Sequence, residues 1–255
     1  MLQAISPQHE RPLPPLSDSP PFTASSHLND NKTHLLLCAS GSVATIKIPC
    51  IAQALALHAD LSIIIILTQS ASAFLAGQSP EQPHFSSLRR IPNVDGVFLD
   101  EQEWSVPWQR GNSILHIELR RWADAMVIAP LSANTLAKIT GGFADNLLTS
   151  VVRAWDTTGL VAGEGEGMMM KKKKKKRILV APAMNTAMWR HPVTGRQVRV
   201  LEEEWGVKGE DGEDGEGWFE VLRPMEKELA CGDVGDGAMM DWKDIVAVIE
   251  ERLKL

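Results

Sequence analysis

The stretch Leu61-Ser62-Ile63-Ile64-Ile65-Ile66-Leu67 decides the fold, because its seven residues show no alternation of polar and apolar side chains. A strand of this kind is buried on both faces, as in a parallel sheet covered by helices. Similar apolar runs recur at residues 34–39, 125–129 and 178–181, with helical patterns between them. The sequence therefore predicts an α/β fold: a three-layer sandwich around a parallel sheet.

Weaker patterns complete this prediction. Shorter strands are expected near residues 97–99 and 218–222. A short helix is expected after residues 68–70, and a longer one begins at residue 132 and stops at the glycine pair 141–142. The other predicted helices cover residues 43–58, 114–122, 145–155 and 241–253.

Composition excludes several classes of protein. The 255 residues carry a net charge of −6, which does not favour a nucleic-acid partner, and 44% are apolar, as in an ordinary globular protein. No apolar run approaches the ~20 residues that span a membrane, and the N-terminus lacks a secretory signal pattern. Three cysteines, Cys38, Cys50 and Cys231, fit a reducing compartment, and no cluster has zinc-finger spacing, so no metal is expected. A soluble cytoplasmic protein is the expectation.

The chain is expected to hold one large domain. Residues 1–32 are rich in Pro, Ser, Asn and Asp and are interpreted as a disordered leader, which leaves 33–255 as the folded domain. Low-complexity insertions are expected at about residues 163–176 and 208–217. The first contains six lysines from Lys171 to Lys176, but its acidic neighbours argue against a nucleic-acid patch or a nuclear signal.

Three hydroxyl-rich segments follow predicted strands: Ser40-Gly41-Ser42-Val43-Ala44, Thr68-Gln69-Ser70 and Ser132-Ala133-Asn134-Thr135. Each alone is most simply a helix N-cap. Because the carboxyl ends of parallel strands meet at one edge of a sheet, together they indicate a site for one phosphorylated, ring-bearing ligand. The sequence has no GxGxxG and no Walker lysine motif, so a dinucleotide or NTP site is not indicated.

The segment Pro182-Ala183-Met184-Asn185-Thr186-Ala187-Met188-Trp189 follows another buried strand. It places one amide among wide apolar side chains at the ligand-binding edge, and an amide both donates and accepts hydrogen bonds. We interpret it as a ligand clamp, in which Asn185 orients a carboxylate or a planar polar ring.

Two further residues are open to two interpretations. His116 lies beside an apolar stripe, where a histidine is more often structural than catalytic, although its titration range suits acid–base chemistry. Cys231 lies in Ala230-Cys231-Gly232-Asp233-Val234-Gly235-Asp236-Gly237, which is either an ordinary Gly-rich turn or a loop that presents a thiol to a ligand.

These segments together resemble the homo-oligomeric flavin-containing cysteine decarboxylase family, and in particular its phosphopantothenoylcysteine-specific eukaryotic members. The resemblance rests on residues 41–44, 115–136, 145–148, 182–189 and 230–239 and extends over residues 34 to about 250, apart from the insertions. The leader and the insertions resemble elaborations of fungal members.

The resemblance implies a flavodoxin-like, Rossmann-like fold and non-covalently bound FMN. It implies His116 and Cys231 as catalytic residues and Asn185 as the residue that holds the substrate carboxylate. It also implies a homotrimer, or a mixed trimer with paralogues, in which His116 acts on a neighbour's flavin. The implied FMN contacts are Gly41, Ser42, Val43, Thr68, Ser70, Ser132, Ala133, Asn134, Thr135 and Ala183.

The implied reaction converts 4′-phosphopantothenoylcysteine to 4′-phosphopantetheine in coenzyme A biosynthesis. The flavin oxidises the substrate to a thioaldehyde, CO₂ leaves, and the ene-thiolate is reduced again, with Cys231 as the proton donor. One alternative is a non-catalytic relative that serves as an inhibitory subunit of a protein phosphatase. Another is a sister flavoprotein that acts on a C-terminal peptidyl cysteine.

Overall fold

The computed structural model of the chain describes residues 22–105, 107–159, 175–208, 216–228 and 234–255. Its centre is a six-stranded parallel sheet in the order β3-β2-β1-β4-β5-β6. The strands are β1 Thr33–Ala39, β2 Leu61–Leu67, β3 Val94–Leu99, β4 Ala125–Leu131, β5 Arg177–Pro182 and β6 Phe219–Val221. The predicted parallel α/β fold is confirmed.

The sheet is buried on both faces, as the run at β2 predicted. Ile63 and Ile65 point into an apolar cluster beneath the helices at residues 48–55 and 242–253, while Ile64 and Ile66 point into a second cluster beneath the helices at residues 115–122 and 147–153. All seven residues of β2 are buried. The helices are α1 Ile48–Leu55, α2 Gln69–Ser72, α3 Leu115–Trp122, α4 Ala133–Gly141, α5 Leu147–Arg153, α6 Thr186–Trp189, α7 Pro192–Arg199 and α8 Trp242–Leu253.

The helix expected over residues 43–58 is wrong in its first part. Val43–Lys47 forms a 3-10 helix, and the α-helix begins only at Ile48. Pro49 explains the change, because proline has no N–H to donate to the carbonyl of Thr45, so an α-helical ladder cannot run through this point. The α-helix also ends at Leu55, earlier than expected.

A short antiparallel hairpin and two helices were not predicted from the sequence. The hairpin pairs β7, Met225–Glu228, with β8, Val234–Ala238. The sequence of β8 is Val-Gly-Asp-Gly-Ala, which is typical of a turn rather than a strand. The two missed helices, α6 and α7, are short and lie between residues 186 and 199.

Ordered structure begins before the boundary expected at residue 32. Ala24–His27 forms a 3-10 turn, and the backbone N–H of Ala24 donates to Oε2 of Glu118 over 2.8 Å. The ring of Phe22 packs edge-on against Trp122, with 6.0 Å between centroids. These contacts attach the end of the predicted leader to α3. Residues 1–21 lie outside the described residues.

Most of both predicted insertions, residues 160–174 and 209–215, also lies outside the described residues. At the end of the first, Lys176 is not simply solvated: its Nζ donates to the carbonyl of Arg121 over 3.0 Å and also to that of Ala123. At the second, the N–H of Lys208 donates to the carbonyl of Glu216 over 3.1 Å, so its two ends meet. Within the described ranges, no helix is long and apolar enough to cross a membrane.

Candidate active site

Ser40 joins the carboxyl ends of β1 and β4, the two central strands. Its buried hydroxyl donates to the carbonyl of Pro130 over 3.0 Å and accepts the N–H of Ser132 over 2.8 Å. After β1 the chain crosses to β2 on one side of the sheet, and after β4 it crosses to β5 on the other side. In open α/β folds, ligands bind in the crevice between two strands whose connections diverge in this way. The structure therefore places two of the predicted segments side by side at a ligand-binding edge.

The connection after β2 lies against the connection after β1. The N–H of Thr68 donates to the carbonyl of Ala39 over 3.1 Å. A Cβ atom at Gly41 would lie only 2.6 Å from Cβ of Ser70, so the two loops approach as closely as a glycine allows. The third hydroxyl-rich segment thus belongs to the same edge as the first two.

The hydroxyls of Thr68 and Ser132 are helix caps, as the simpler interpretation of each segment proposed. Thr68 accepts the N–H of Ala71, and Ser132 accepts the N–H of Thr135, each over 3.3 Å. Capping does not exclude a ligand, because the other first-turn amides of a helix still lack partners within it and favour an anion. In contrast, the Ser42 side chain makes no capping hydrogen bond, and Val43 is 45% exposed.

The segment after β5 reaches the same edge. The N–H of Ala183 donates to the carbonyl of Leu131 over 2.9 Å, beside the start of α4, and Ala183 itself is buried. Asn185 is exposed and caps α6 with its Oδ1, which accepts the N–H of Met188 over 2.8 Å. The amide group of Asn185 keeps its two N–H donors for a ligand, since no described residue accepts from them.

The hairpin β7–β8 lies over this segment. The N–H of Met184 donates to the carbonyl of Gly237 over 3.0 Å, and a Cβ at Gly237 would lie 2.3 Å from the carbonyl oxygen of Met184. An ion pair of 3.1 Å joins Arg190 to Asp236 of β8. Cys231 lies in the five residues between the two strands, 229–233, which are outside the described residues.

His116 lies in the first turn of α3, where the chain returns after β3. Its Nδ1 is 2.6 Å from Oε1 of Glu103, whose side chain is only 4% exposed. A carboxylate can only accept, so the proton lies on Nδ1, and Nε2 is the acceptor of the neutral ring. The second oxygen of Glu103 is buried and has no hydrogen-bond partner among the described residues.

Asp100 connects three elements at this edge. It follows β3, and its two carboxylate oxygens accept the N–H of Gln69 over 2.9 Å and the N–H of Leu147 over 3.2 Å. Burial raises the pKa of Asp100 above its usual value, and the two hydrogen bonds oppose that rise. Asp100 thereby positions the start of α2, which carries Ser70.

The predicted site residues fall into two groups. Contacts join Gly41, Thr68, Ser70, Ser132 and Ala183 into one edge, but no hydrogen bond or ion pair within the described ranges links His116 to it. Sequence reasoning missed Glu103 and Asp100, because an acidic run in a turn-rich region is typical of solvent-exposed sequence. A cleft of about 1440 Å³ lies instead at the amino-terminal edge of the sheet, where His34, Asp124 and Arg177 line it.

The Flavoprotein family matches residues 23–254. A probable phosphopantothenoylcysteine decarboxylase from Arabidopsis thaliana is 40% identical over 211 residues, which cover 82% of this chain and 83% of the relative. A likeness of this extent shows that this chain and the relative belong to one family over most of their length.

Two solved structures are similar as well. One is a cysteine-to-serine mutant of PPC decarboxylase in complex with pantothenoylaminoethenethiol, 37% identical, with a TM-score of 0.64 over 88% of this chain and 100% of that one. The other is the FMN-binding protein AtHal3, 38% identical, with a TM-score of 0.61 over 86% of this chain and 96% of that one.

Proposed function

The chain belongs to the Flavoprotein family, and we propose that it catalyses the FMN-dependent decarboxylation of 4′-phosphopantothenoylcysteine to 4′-phosphopantetheine in coenzyme A biosynthesis. The observation that carries this proposal is the meeting of the connections after β1, β2 and β4 at Ser40 and Gly41, in a chain 40% identical to a decarboxylase over most of its length. The ligand of one solved relative, pantothenoylaminoethenethiol, is an ene-thiol with a pantothenoyl group, which resembles the ene-thiolate that CO₂ loss from the proposed substrate forms.

The ligand edge fits FMN in its donor chemistry. The hydroxyl of Ser42 and the first-turn amides of Ala133 and Asn134 in α4 suit the phosphate. Thr135, whose N–H donates to Ser132, is the next residue of the proposed contact set. Gly41, Val43, Thr68, Ser70, Ser132 and Ala183 complete the proposed contacts around the cofactor. The close approach of Gly41 to Ser70 holds the connections after β1 and β2 together at this edge. Bound FMN supplies reversible hydride transfer at the carbon that bears the substrate thiol, which creates the electron sink that CO₂ loss needs.

Asn185 holds the substrate carboxylate. Its Oδ1 is fixed by the N–H of Met188, so the NH₂ group points away from the helix that it caps. An amide donor binds a carboxylate without protonating it, so the group stays ionised, and the electron pair of its C–C bond can pass to the electron sink as neutral CO₂ leaves. Strand β8, which begins directly after the residues 229–233 that contain Cys231, contacts the same segment, which supports Cys231 as the acid that protonates the product.

His116 acts as the acid–base group at the oxidation and decarboxylation stage, and Glu103 is its positioning residue. The hydrogen bond to a buried carboxylate fixes the ring orientation and the tautomer, so that Nε2 faces outward as the acceptor. The same carboxylate stabilises the imidazolium after Nε2 takes a proton.

The site is completed by a second copy of the chain, in a homotrimer or in a mixed trimer with paralogues. No hydrogen bond or ion pair within the described ranges links His116 to the edge of its own chain that is proposed to bind FMN, here called the FMN edge. Val43, Trp104 and Met188, in the connections after β1, β3 and β5, are 45%, 62% and 46% exposed. Exposed apolar side chains around a binding edge are typical of a surface that another protein covers.

We further propose a single flavoprotein domain with insertions at about residues 163–176 and 208–217, located in the cytoplasm, with no nucleic-acid or membrane partner. The unpaired cysteines Cys38 and Cys50 fit a reducing compartment. The relatives that are named decarboxylases favour an enzyme over a regulatory phosphatase subunit.

The experiment offers the purified protein equal amounts of 4′-phosphopantothenoylcysteine and a peptide that ends in cysteine, and follows both by mass spectrometry. We expect the phosphorylated compound to lose the mass of CO₂ and the peptide to remain intact. Loss of CO₂ from the peptide alone would show that the substrate is a peptidyl cysteine and not 4′-phosphopantothenoylcysteine.

A further inference from the structure

A cluster of metal-ligating side chains lies at the amino-terminal edge of the sheet, opposite the FMN edge. His27, Asp30 and His34 each offer one ligand atom, and these atoms lie within 4.8 Å of one another. Nε2 of His34 is 3.0 Å from Oδ2 of Asp30, and Nδ1 of His27 is 3.4 Å from the same oxygen. In a tetrahedral zinc site, neighbouring ligand atoms are about 3.3 Å apart, as follows from metal–ligand distances of about 2.0 Å.

The other ring nitrogen of His34 faces a second carboxylate. Its Nδ1 is 3.4 Å from Oδ2 of Asp124, and that oxygen also accepts the backbone N–H of His34 over 2.9 Å. In protein metal sites, a ligating histidine usually gives its remaining ring N–H to a carboxylate, which fixes the tautomer and leaves the other nitrogen free for the ion. His34 and Asp124 have this arrangement, with Nε2 directed at His27 and Asp30.

The two histidine rings are also held in place by packing. The His34 ring is 4.7 Å from the ring of Trp122, and the His27 ring is stacked on Phe22 at 5.5 Å. His34 is buried, while His27 and Asp30 are more exposed. Preorganised rings with an open side allow a cation to bind with little loss of side-chain freedom.

The cluster is reached through the cleft of about 1440 Å³ described above. Several basic side chains also line this cleft, and two of the arginines among them are paired with acids. Arg121 is 3.1 Å from Glu118, and Arg252 is 2.9 Å from Glu220. These two ion pairs reduce the repulsion that the cleft exerts on a cation at the histidine cluster.

We propose that His27, Asp30 and His34 bind a divalent transition-metal ion of the Zn²⁺ class, with Asp124 as the residue that orients His34. Two imidazoles and one carboxylate match the ligand preference of zinc, and water completes a four-coordinate shell. The ion joins the 3-10 turn Ala24–His27 to the first residues of β1 and has no part in the decarboxylation. The sequence did not indicate this site, because its ligands lack zinc-finger spacing.

The test is calorimetric titration of the FMN-loaded protein, without an affinity tag, with Zn²⁺ and separately with Mg²⁺. We expect one Zn²⁺ per chain and much weaker binding of Mg²⁺, which prefers oxygen ligands. His34→Asn and His27→Asn should each lower the Zn²⁺ affinity at least tenfold, and Asp124→Asn should lower it about 10- to 100-fold. His58→Asn is the matched control, because His58 pairs with Glu250 outside the cluster.

A second readout is the shift of the melting temperature with Zn²⁺, since an ion that binds only the folded state stabilises it. The shift should be present in the wild type and in His58→Asn, and absent in His27→Asn, whose side chain lies near the surface. No Zn²⁺ binding to the wild type would overturn the proposal. So would equal affinity in the wild type and both cluster variants, because the ion would then bind elsewhere, for instance at a thiol.

Discussion

Nδ1 of His116 donates a hydrogen bond to Oε1 of Glu103 over 2.6 Å, and the Glu103 side chain is 4% exposed. The pair ties the first turn of α3 to the connection after β3. Burying a carboxylate oxygen without a hydrogen-bond partner costs free energy of folding. The position of the Glu103 carboxylate beside the one histidine of α3 therefore indicates a role in function. The proposed acid–base group is therefore a pair of residues.

We expect Glu103→Gln to lower kcat at least tenfold and to leave KM and FMN affinity near the wild-type values. A glutamine can present an N–H to Nδ1 and so favour the wrong tautomer of His116. Steady-state kinetics measure the effect, and Glu101→Gln, an exposed neighbour, is the control. Equal loss in both variants would point to a general charge effect in place of a positioning role.

His116→Asn should abolish turnover while FMN stays bound, since His116 is not among the proposed FMN contacts. The visible flavin spectrum reports the cofactor, and CO₂ release reports turnover. In the proposed trimer, a mixture of His116→Asn and Asn185→Asp chains should regain part of the activity. At some interfaces, an Asn185→Asp chain supplies an intact His116 to a His116→Asn chain, which supplies an intact Asn185. Retained turnover in His116→Asn itself would remove this residue from the mechanism.

Asn185→Asp separates the two roles of Asn185. An aspartate caps a helix as well as an asparagine does, so the melting temperature should stay close to that of the wild type. The new charge should repel the substrate carboxylate and lower kcat/KM about 100-fold, equivalent to about 2.7 kcal/mol. Asn185→Ala is the companion variant, which should also lose stability by about 1 kcal/mol as the cap is lost. A normal kcat/KM in Asn185→Asp would reject the carboxylate contact.

Gly41→Ala should weaken FMN binding and destabilise the protein by about 1–3 kcal/mol, because the new methyl group would lie 2.6 Å from Cβ of Ser70. Thermal unfolding and FMN titration measure the two effects. The double variant Gly41→Ala with Ser70→Gly removes the clash and should regain most of the stability. Failure of the second change to restore stability would mean that the loops do not touch as described.

The stability contributed by Asp100 should depend on pH. Its pKa is raised in the folded protein by burial, so its contribution is fully present below the unfolded value near 3.8 and is lost as pH rises through the higher folded value. The stability difference between the wild type and Asp100→Asn should thus be larger at pH 4 than at pH 7. Denaturant unfolding of both proteins measures it, and an opposite trend would show that the hydrogen bonds to Gln69 and Leu147 outweigh burial.

The sequence predicts the sheet well because burial on both faces leaves an unbroken apolar run, as in β2. It also predicts that the hydroxyl-rich segments after β1, β2 and β4 meet, because the carboxyl ends of parallel strands lie at one edge of the sheet. It does not predict Glu103, since the burial of that carboxylate depends on how a long connection folds back onto α3. Nor does it predict β8, in which Gly237 passes close to the carbonyl of Met184 and Gly235 passes close to the side chain of Thr186.

Release of CO₂ from 4′-phosphopantothenoylcysteine by the purified, FMN-containing protein tests the central claim most directly. The account predicts repeated turnovers, with one 4′-phosphopantetheine formed for each CO₂ and the flavin oxidised at the end. A protein that contains FMN but releases no CO₂ from this substrate would contradict it.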